Sequence, residues 1–166
     1  MRAAYRLGQF LASLWALLFP PDDHEAGRLL SPQEHALFRQ MTAYDRAHAL
    51  RVVRLLRQQT GDRTLLQAAL LHDLGKSAGG ERIPLLYRGA IVLAQRFTPL
   101  WKWLARERPV GHPLRPFFLY TVHATRGAQL AQEAGIDASV VALIAGHHNE
   151  NASGSLFLLQ QADRRA

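Results

Sequence analysis

The 166-residue sequence contains no cysteine, so disulfide staples, thiolate nucleophiles and sulfur-ligated metal sites are excluded. Stability must come from a packed core, and the absence agrees with a reducing, cytoplasmic setting. No segment shows sustained two-residue alternation of apolar and polar side chains, so no strand is predicted and the fold class is all-α. The longest uncharged run, residues 7–21, holds fifteen residues and falls short of the roughly 20 that a membrane-spanning helix requires. Acidic residues are the scarce charge, 13 Asp and Glu against 20 Lys and Arg for a net +7. That balance favours anionic partners, whether phosphorylated small molecules, nucleic acid or a lipid headgroup surface. The arginines are scattered and not interleaved with aromatics, so there is no strong nucleic-acid signal.

What is present divides into an N-terminal helix with its linker, residues 1–30, and one compact domain, residues 31–166. Leu7, Phe10, Leu11, Leu14 and Leu18 recur at helical spacing with Gln9 and Ser13 off the stripe, which predicts an amphipathic helix. Its apolar face needs a partner: the rest of its own domain, a second copy, or a membrane surface that would make the protein peripheral. Pro20-Pro21 breaks it. Ser31-Pro32-Gln33-Glu34 then reads as an N-cap, a proline at the first helical position and a capping-box acid, and Thr42 with Asp45 suggests a second box. Ala47, Leu50, Val53, Arg54 and Arg57 mark the turns of a helix that carries His48 and ends at Gly61. Thr64 is read as the cap of the next helix, which runs through an almost wholly apolar stretch to His72-Asp73, where Gly75, Gly79 and Gly80 open a loop.

A middle insert, residues 84–97 and 99–108, reads as two helices broken at Thr98-Pro99, each apolar on one side and basic on the other. Trp101, Trp103, Leu85, Leu86, Ile91 and Leu93 can wall a substrate cavity, but at helical spacing they read as plain core. Beyond a proline-rich loop at residues 111–116, residues 117–122 lead into His123 and a helix closed by Gly135. Asp137 caps a helix ending at His147-His148, and Ser155 starts a last one carrying Asp163.

His72-Asp73 is the most informative pair. An imidazole beside a carboxylate at the end of an apolar helix is expensive to bury unless something coordinates both groups, so the doublet points to a metal held with further His and Asp residues. His48, His123, His147, His148 and Asp163 supply them. Taken singly, a buried histidine is usually a satisfied core residue and Asp163 a solvated helix residue; as an ordered series on successive predicted helices they read as ligands. His24, His35 and His112 stand outside the series and read as surface residues, and Asn149 and Glu150 as loop caps.

The ordered elements His48, His72-Asp73, His123, His147-His148 and Asp163 resemble the metal ligands of the HD-domain superfamily of metal-dependent phosphohydrolases. The string His72-Asp73-Leu74-Gly75-Lys76 resembles that family's best-known motif, and His123 with Gly127-Ala128 resembles a segment of its HDIG and HD-GYP branches. The resemblance spans residues 42–163 and implies an HD-domain helical bundle. Three departures qualify it. Ala124 stands where the branch usually has proline, and no Gly-Tyr-Pro follows His147-His148-Asn149-Glu150, which argues against cleavage of cyclic di-GMP. Tyr44 stands where trinuclear members place a glutamate, which argues for two metals, not three.

The resemblance implies His48, His72, Asp73 and Asp163 on one ion, and Asp73, His123, His147 and His148 on the other, with Asp73 as the bridge. Imidazole and carboxylate ligands suit divalent transition metals, here manganese, iron, cobalt or nickel. Two such ions lower the pKa of a bridging water to give hydroxide and neutralise phosphate oxygens during in-line attack. Lys76 is placed to bind a non-bridging oxygen or to assist the leaving group. The expected activity is hydrolysis of a phosphomonoester or phosphodiester, with nucleotides as the leading substrate class. The alternatives are a di-iron oxygenase on the same fold and a non-catalytic, metal-stabilised signalling module.

Overall fold

A computed structural model describes residues 21–166; the amphipathic helix expected within residues 7–18 lies outside them. The described residues hold nine α-helices, one short 3-10 turn and no strand. In chain order these are α1 (His24–Leu29), α2 (Pro32–Gln40), α3 (Ala43–Arg57), α4 (Arg63–Leu71), the turn Leu74–Lys76, α5 (Leu85–Ala94), α6 (Thr98–Leu104), α7 (Arg115–Glu133), α8 (Ala138–Gly146) and α9 (Gly154–Arg165).

The expected capping box opens α2: Ser31 Oγ accepts from Glu34 N while Ser31 N donates to the Glu34 carboxylate, with Pro32 in the first turn. At α3 only half of the second box forms. Thr42 Oγ1 accepts from Asp45 N at 3.2 Å, but the backbone N–H of Thr42 donates to Ser77 Oγ, because the Asp45 carboxylate turns inward to Arg88. Helix α3 stops at Arg57, with Gln58 in helical φ and ψ as its C-cap, so Gly61 lies in the connection and does not terminate it. The cap of α4 is Asp62, whose carboxylate accepts from Leu65 N; Thr64, the expected cap, is already inside the helix.

Helix α4 is the centre of the fold. It packs on α3 and α8, and also touches α1, α2 and α9. Leu65, Leu66, Ala68, Ala69, Leu70 and Leu71 are all buried, the all-round apolarity expected of a helix surrounded by others. Ala26 and Leu29 of α1 join this main core together with Phe38, Met41, Leu50, Leu56, Ile144 and Leu159.

The insert has a core of its own. Ile83, Ile91 and Ala94 pack with Phe117 and Leu119 of α7, flanked by Tyr87, Trp101, Leu104 and Tyr120. Its two helices are shorter than the sequence suggests, and the break falls at residues 95–97, because Pro99 sits in the first turn of α6 instead of before it. Ile91 is buried as expected and Trp101 is half-buried against the same core, but Leu86, Leu93 and Trp103 are exposed: the insert has apolar residues on two faces and covers only one. Helix α7 spans both cores, giving Phe117 and Leu119 to the small one and Ala128 and Ala131 to the main one. His123 lies between these contributions. Helix α9 begins at Gly154, one residue before the expected Ser155.

Candidate metal centre

Five elements bring the candidate residues together. His48 comes from α3, His72 and Asp73 follow the end of α4, His123 is midway along α7, His147 and His148 follow α8, and Asp163 is near the end of α9. The close approach of the Leu74–Lys76 turn to α7 depends on glycine. A Cβ at Gly75 would collide with the carbonyl oxygen of His123 and lie 2.7 Å from Gly127 N. Gly127 is one helical turn beyond His123 on the same face, and its own Cβ would meet Gly75 N at 3.0 Å. The two glycines thus let Asp73 and His123 approach. Arg126 holds the same turn from outside, donating to the carbonyl oxygens of Gly75, Ala78 and Gly79.

Three histidines are oriented alike. His72 Nδ1 lies 2.9 Å from Ala69 O, His123 Nδ1 2.6 Å from Tyr120 O, and His147 Nδ1 2.6 Å from Ile144 O. A carbonyl oxygen only accepts, so each Nδ1 carries the proton and each Nε2 presents a lone pair inward. The lone pairs face a carboxylate: Asp73 Oδ1 is 3.5 Å from His72 Nε2, 3.7 Å from His123 Nε2 and 4.0 Å from His147 Nε2. His72 Nε2, His147 Nε2 and Asp73 Oδ1 are buried with no hydrogen-bond partner. An inward crowd in which two buried imidazole nitrogens find no hydrogen-bond partner is costly, and a cation among them resolves it. The residues therefore fit a metal.

They fall into two groups whose ligand atoms lie within 4.8 Å of one another, His48 with His72 and Asp73, and His123 with His147 and His148. Asp163 stands beside the first group, its Oδ1 2.8 Å from His48 Nε2 and 3.5 Å from His72 Nε2. Within the second, His123 Nε2 and His148 Nε2 are 3.0 Å apart, a distance that two lone pairs sustain only with a proton or a cation between them.

Electrostatics agree with the geometry. Burial opposes charge on His72, but Asp73 and Asp163 outweigh it and raise the pKa to about 9. Burial, with Lys76, drives the His123 imidazole well below its usual range, and burial with the charge of His72 takes His147 down to about 3. Burial likewise lowers His148. For Asp73 burial acts upward, yet Lys76 and His72 hold it well below the carboxylate range, and His48 and His72 do the same for Asp163. The pattern is of ionised carboxylates, neutral imidazoles at His123, His147 and His148, and a His72 that holds a proton between Asp73 and Asp163 which a bound metal would displace.

Lys76 lies in the 3-10 turn and not in an open loop, with its side chain mostly buried. Its Nζ is 2.7 Å from Asp73 Oδ1 and 2.8 Å from Oδ2, hydrogen bonded only to the latter. Sequence reasoning took Asp45 only as a capping-box acid and passed over Arg88. Asp45 is fully buried and accepts from both Arg88 guanidinium nitrogens, at 2.6 and 2.9 Å, from Ser77 Oγ and from Thr42 Oγ1. The pair joins the insert to α3 three residues before His48 and, through Ser77, to the residue after Lys76. A buried carboxylate and an arginine 43 positions apart leave no local pattern by which to find them.

Of the excluded histidines, His24 is exposed as expected. His35 and His112 are half-buried: His35 stacks on Phe38, and His112 Nδ1 accepts from Leu114 N. Asn149 and Glu150 are exposed and, with His147, His148, Gln160, Asp163 and Arg164, line a small cavity of about 110 Å³ that opens onto the ligand cluster.

No curated protein and no solved structure matches the chain. The family model described as HD domain matches residues 46–166, a range that includes all of the candidate ligands. The chain belongs to the HD-domain family, a superfamily of metal-dependent hydrolases.

Proposed function

We propose that this protein is a phosphohydrolase that binds two divalent transition-metal ions and cleaves a phosphomonoester or phosphodiester, with nucleotides as the leading substrate class. The observation that carries the reading is the convergence of His72 Nε2 and His147 Nε2, buried and without hydrogen-bond partners, on Asp73 Oδ1. His48, His72, Asp73 and Asp163 would hold one ion, and Asp73, His123, His147 and His148 the other. Ions held there would supply an activated water and neutralise phosphate charge.

The chain's own residues do the rest. Asp73 Oδ1 faces histidines of both ligand groups. The i−3 carbonyls accept from Nδ1 of His72, His123 and His147, which aims their Nε2 atoms at the centre. Lys76 Nζ, already at the carboxylate that both groups share, is in reach of a phosphoryl oxygen bound beside it and would stabilise charge there or on the leaving group. The cavity bordered by Asn149, Glu150 and Gln160 offers the approach, and the net charge of +7 favours anionic esters.

The test combines metal analysis of the purified protein with phosphate release from nucleotides, cyclic dinucleotides and an aryl phosphodiester under added manganese. Asp73→Ala should abolish both bound metal and turnover. Turnover that survives this change would refute the mechanism. Two irons with oxygen consumption and no ester cleaved would replace it with oxygenase chemistry, and bound metal without any turnover would leave a signalling module.

A further inference from the structure

The insert carries an apolar face that stays exposed among the described residues. On α5 the interior positions are Ile91 and Ala94. Away from these Leu86, Ala90 and Leu93 follow at helical spacing on α5 and Phe97 lies in the bend before α6, and the three large side chains are 82%, 62% and 63% exposed. Leu100 and Trp103 of α6, 46% and 47% exposed, extend this face. Isolated exposed apolar residues are ordinary; five large ones on one short hairpin mark an interaction surface.

The charge around it narrows the partner. Residues 82–108 hold six basic residues and a single acid, Glu107, so most of the chain's excess positive charge is in this segment. Arg82, Arg96, Lys102 and Arg106 are exposed. Arg96 and Lys102 pair with no acidic side chain among the described residues, and residues 1–20 contain no acid. Arg108 lies over the Trp103 ring. Apolar side chains with tryptophan, rimmed by unpaired cations, suit the interface of an anionic bilayer, where the first enter the acyl boundary and the second meet lipid phosphates. Two copies meeting through this face would instead oppose like-charged rims.

We propose that the α5–α6 hairpin docks on an anionic phospholipid surface through Leu86, Leu93, Phe97, Leu100 and Trp103. The metal centre would then lie close to that surface, since Trp101 packs on Tyr120 at 5.9 Å and Tyr120 on His123 at 5.6 Å.

The test is co-sedimentation of the full chain with phosphatidylcholine vesicles with and without phosphatidylglycerol. Binding is expected only with the anionic lipid and should be lost in roughly 1 M salt. The triple variant Leu86→Ser, Leu93→Ser, Phe97→Ser should bind roughly tenfold more weakly or worse, with far-UV circular dichroism and metal content unchanged. Arg96→Gln with Lys102→Gln should weaken binding roughly fivefold per cation removed, and this pair decides the matter if the triple variant does not fold. The N-terminal segment is intact in every variant, so undiminished binding would assign the lipid contact to it and overturn the proposal. A parent protein that ignores both vesicles overturns it too. So does a parent dimer that the triple variant converts to monomer without vesicle binding, because a second copy is then the occupant.

Discussion

Gly75 sets the distance between the turn that follows Asp73 and the helix that carries His123. A methyl group there meets backbone on every near side, the His123 carbonyl and Gly127 N among it, and backbone cannot swing aside as a side chain can. Gly75→Ala should therefore destabilise the fold by about 3 kcal/mol and reduce bound metal, measured by thermal melts and elemental analysis. Gly127→Ala is milder. Its Cβ meets Gly75 N at 3.0 Å and Ile144 Cγ2 at 3.4 Å, and part of the loss is offset by the ~1 kcal/mol gain in helix propensity. Equal effects of the two changes would mean that the turn relaxes and that Gly75 is not what limits the approach. Asp73→Asn keeps the side chain's shape and removes the charge that both ligand groups share; metal should be lost while the far-UV spectrum stays helical.

Helix starts and one buried ion pair carry the predictions for individual elements. Asp62→Ala should cost about 1 kcal/mol in denaturant unfolding, whereas Thr64→Ala should change stability little, because only Asp62 accepts from the first turn of α4. The reverse order would show Thr64 to be the cap. Arg88 anchors α5 to α3 through Asp45. Arg88→Met leaves a fully buried carboxylate facing only Ser77 and Thr42 hydroxyls and should cost roughly 3–5 kcal/mol. Combining it with Asp45→Asn should recover part of that loss in a double-mutant cycle, and strictly additive losses would show that the two residues do not act as a pair. The interior acid that truncated the Thr42 capping box is thus the residue that fastens the insert.

Two cores of unequal size and one polar centre describe the whole molecule. The insert's core is small and shares α7 with the main one, so amide exchange in α5 and α6 should be faster than in α4, which is enclosed by five other helices; equal protection would mean that the two cores open as one unit. Metal held at this centre would couple to the entire fold, since five elements supply candidate ligands. Manganese at a hundredfold its dissociation constant should stabilise the protein by about 2.7 kcal/mol, and melts with added metal or chelator would register it; no shift would mean that the cluster holds no ion. The all-helical class, the starts of α2, α3 and α8 and the ordered His and Asp series were legible in the sequence because they rest on local facts: periodicity, caps, and residue types too costly to bury alone. The Asp62 cap, the inward turn of Asp45 and the burial of Lys76 were not, because each depends on partners supplied by packing. Leu86 and Trp103 were misplaced for the same reason: helical spacing shows that a helix has an apolar face, and only the neighbouring elements decide whether that face is covered. By itself the sequence determined the family, the nitrogen and oxygen chemistry open to any metal site and the positive charge. Tertiary structure decided that three imidazole lone pairs and one carboxylate oxygen meet at a single buried point, since distances between residues far apart in the chain are set by how helices pack and not by any local pattern.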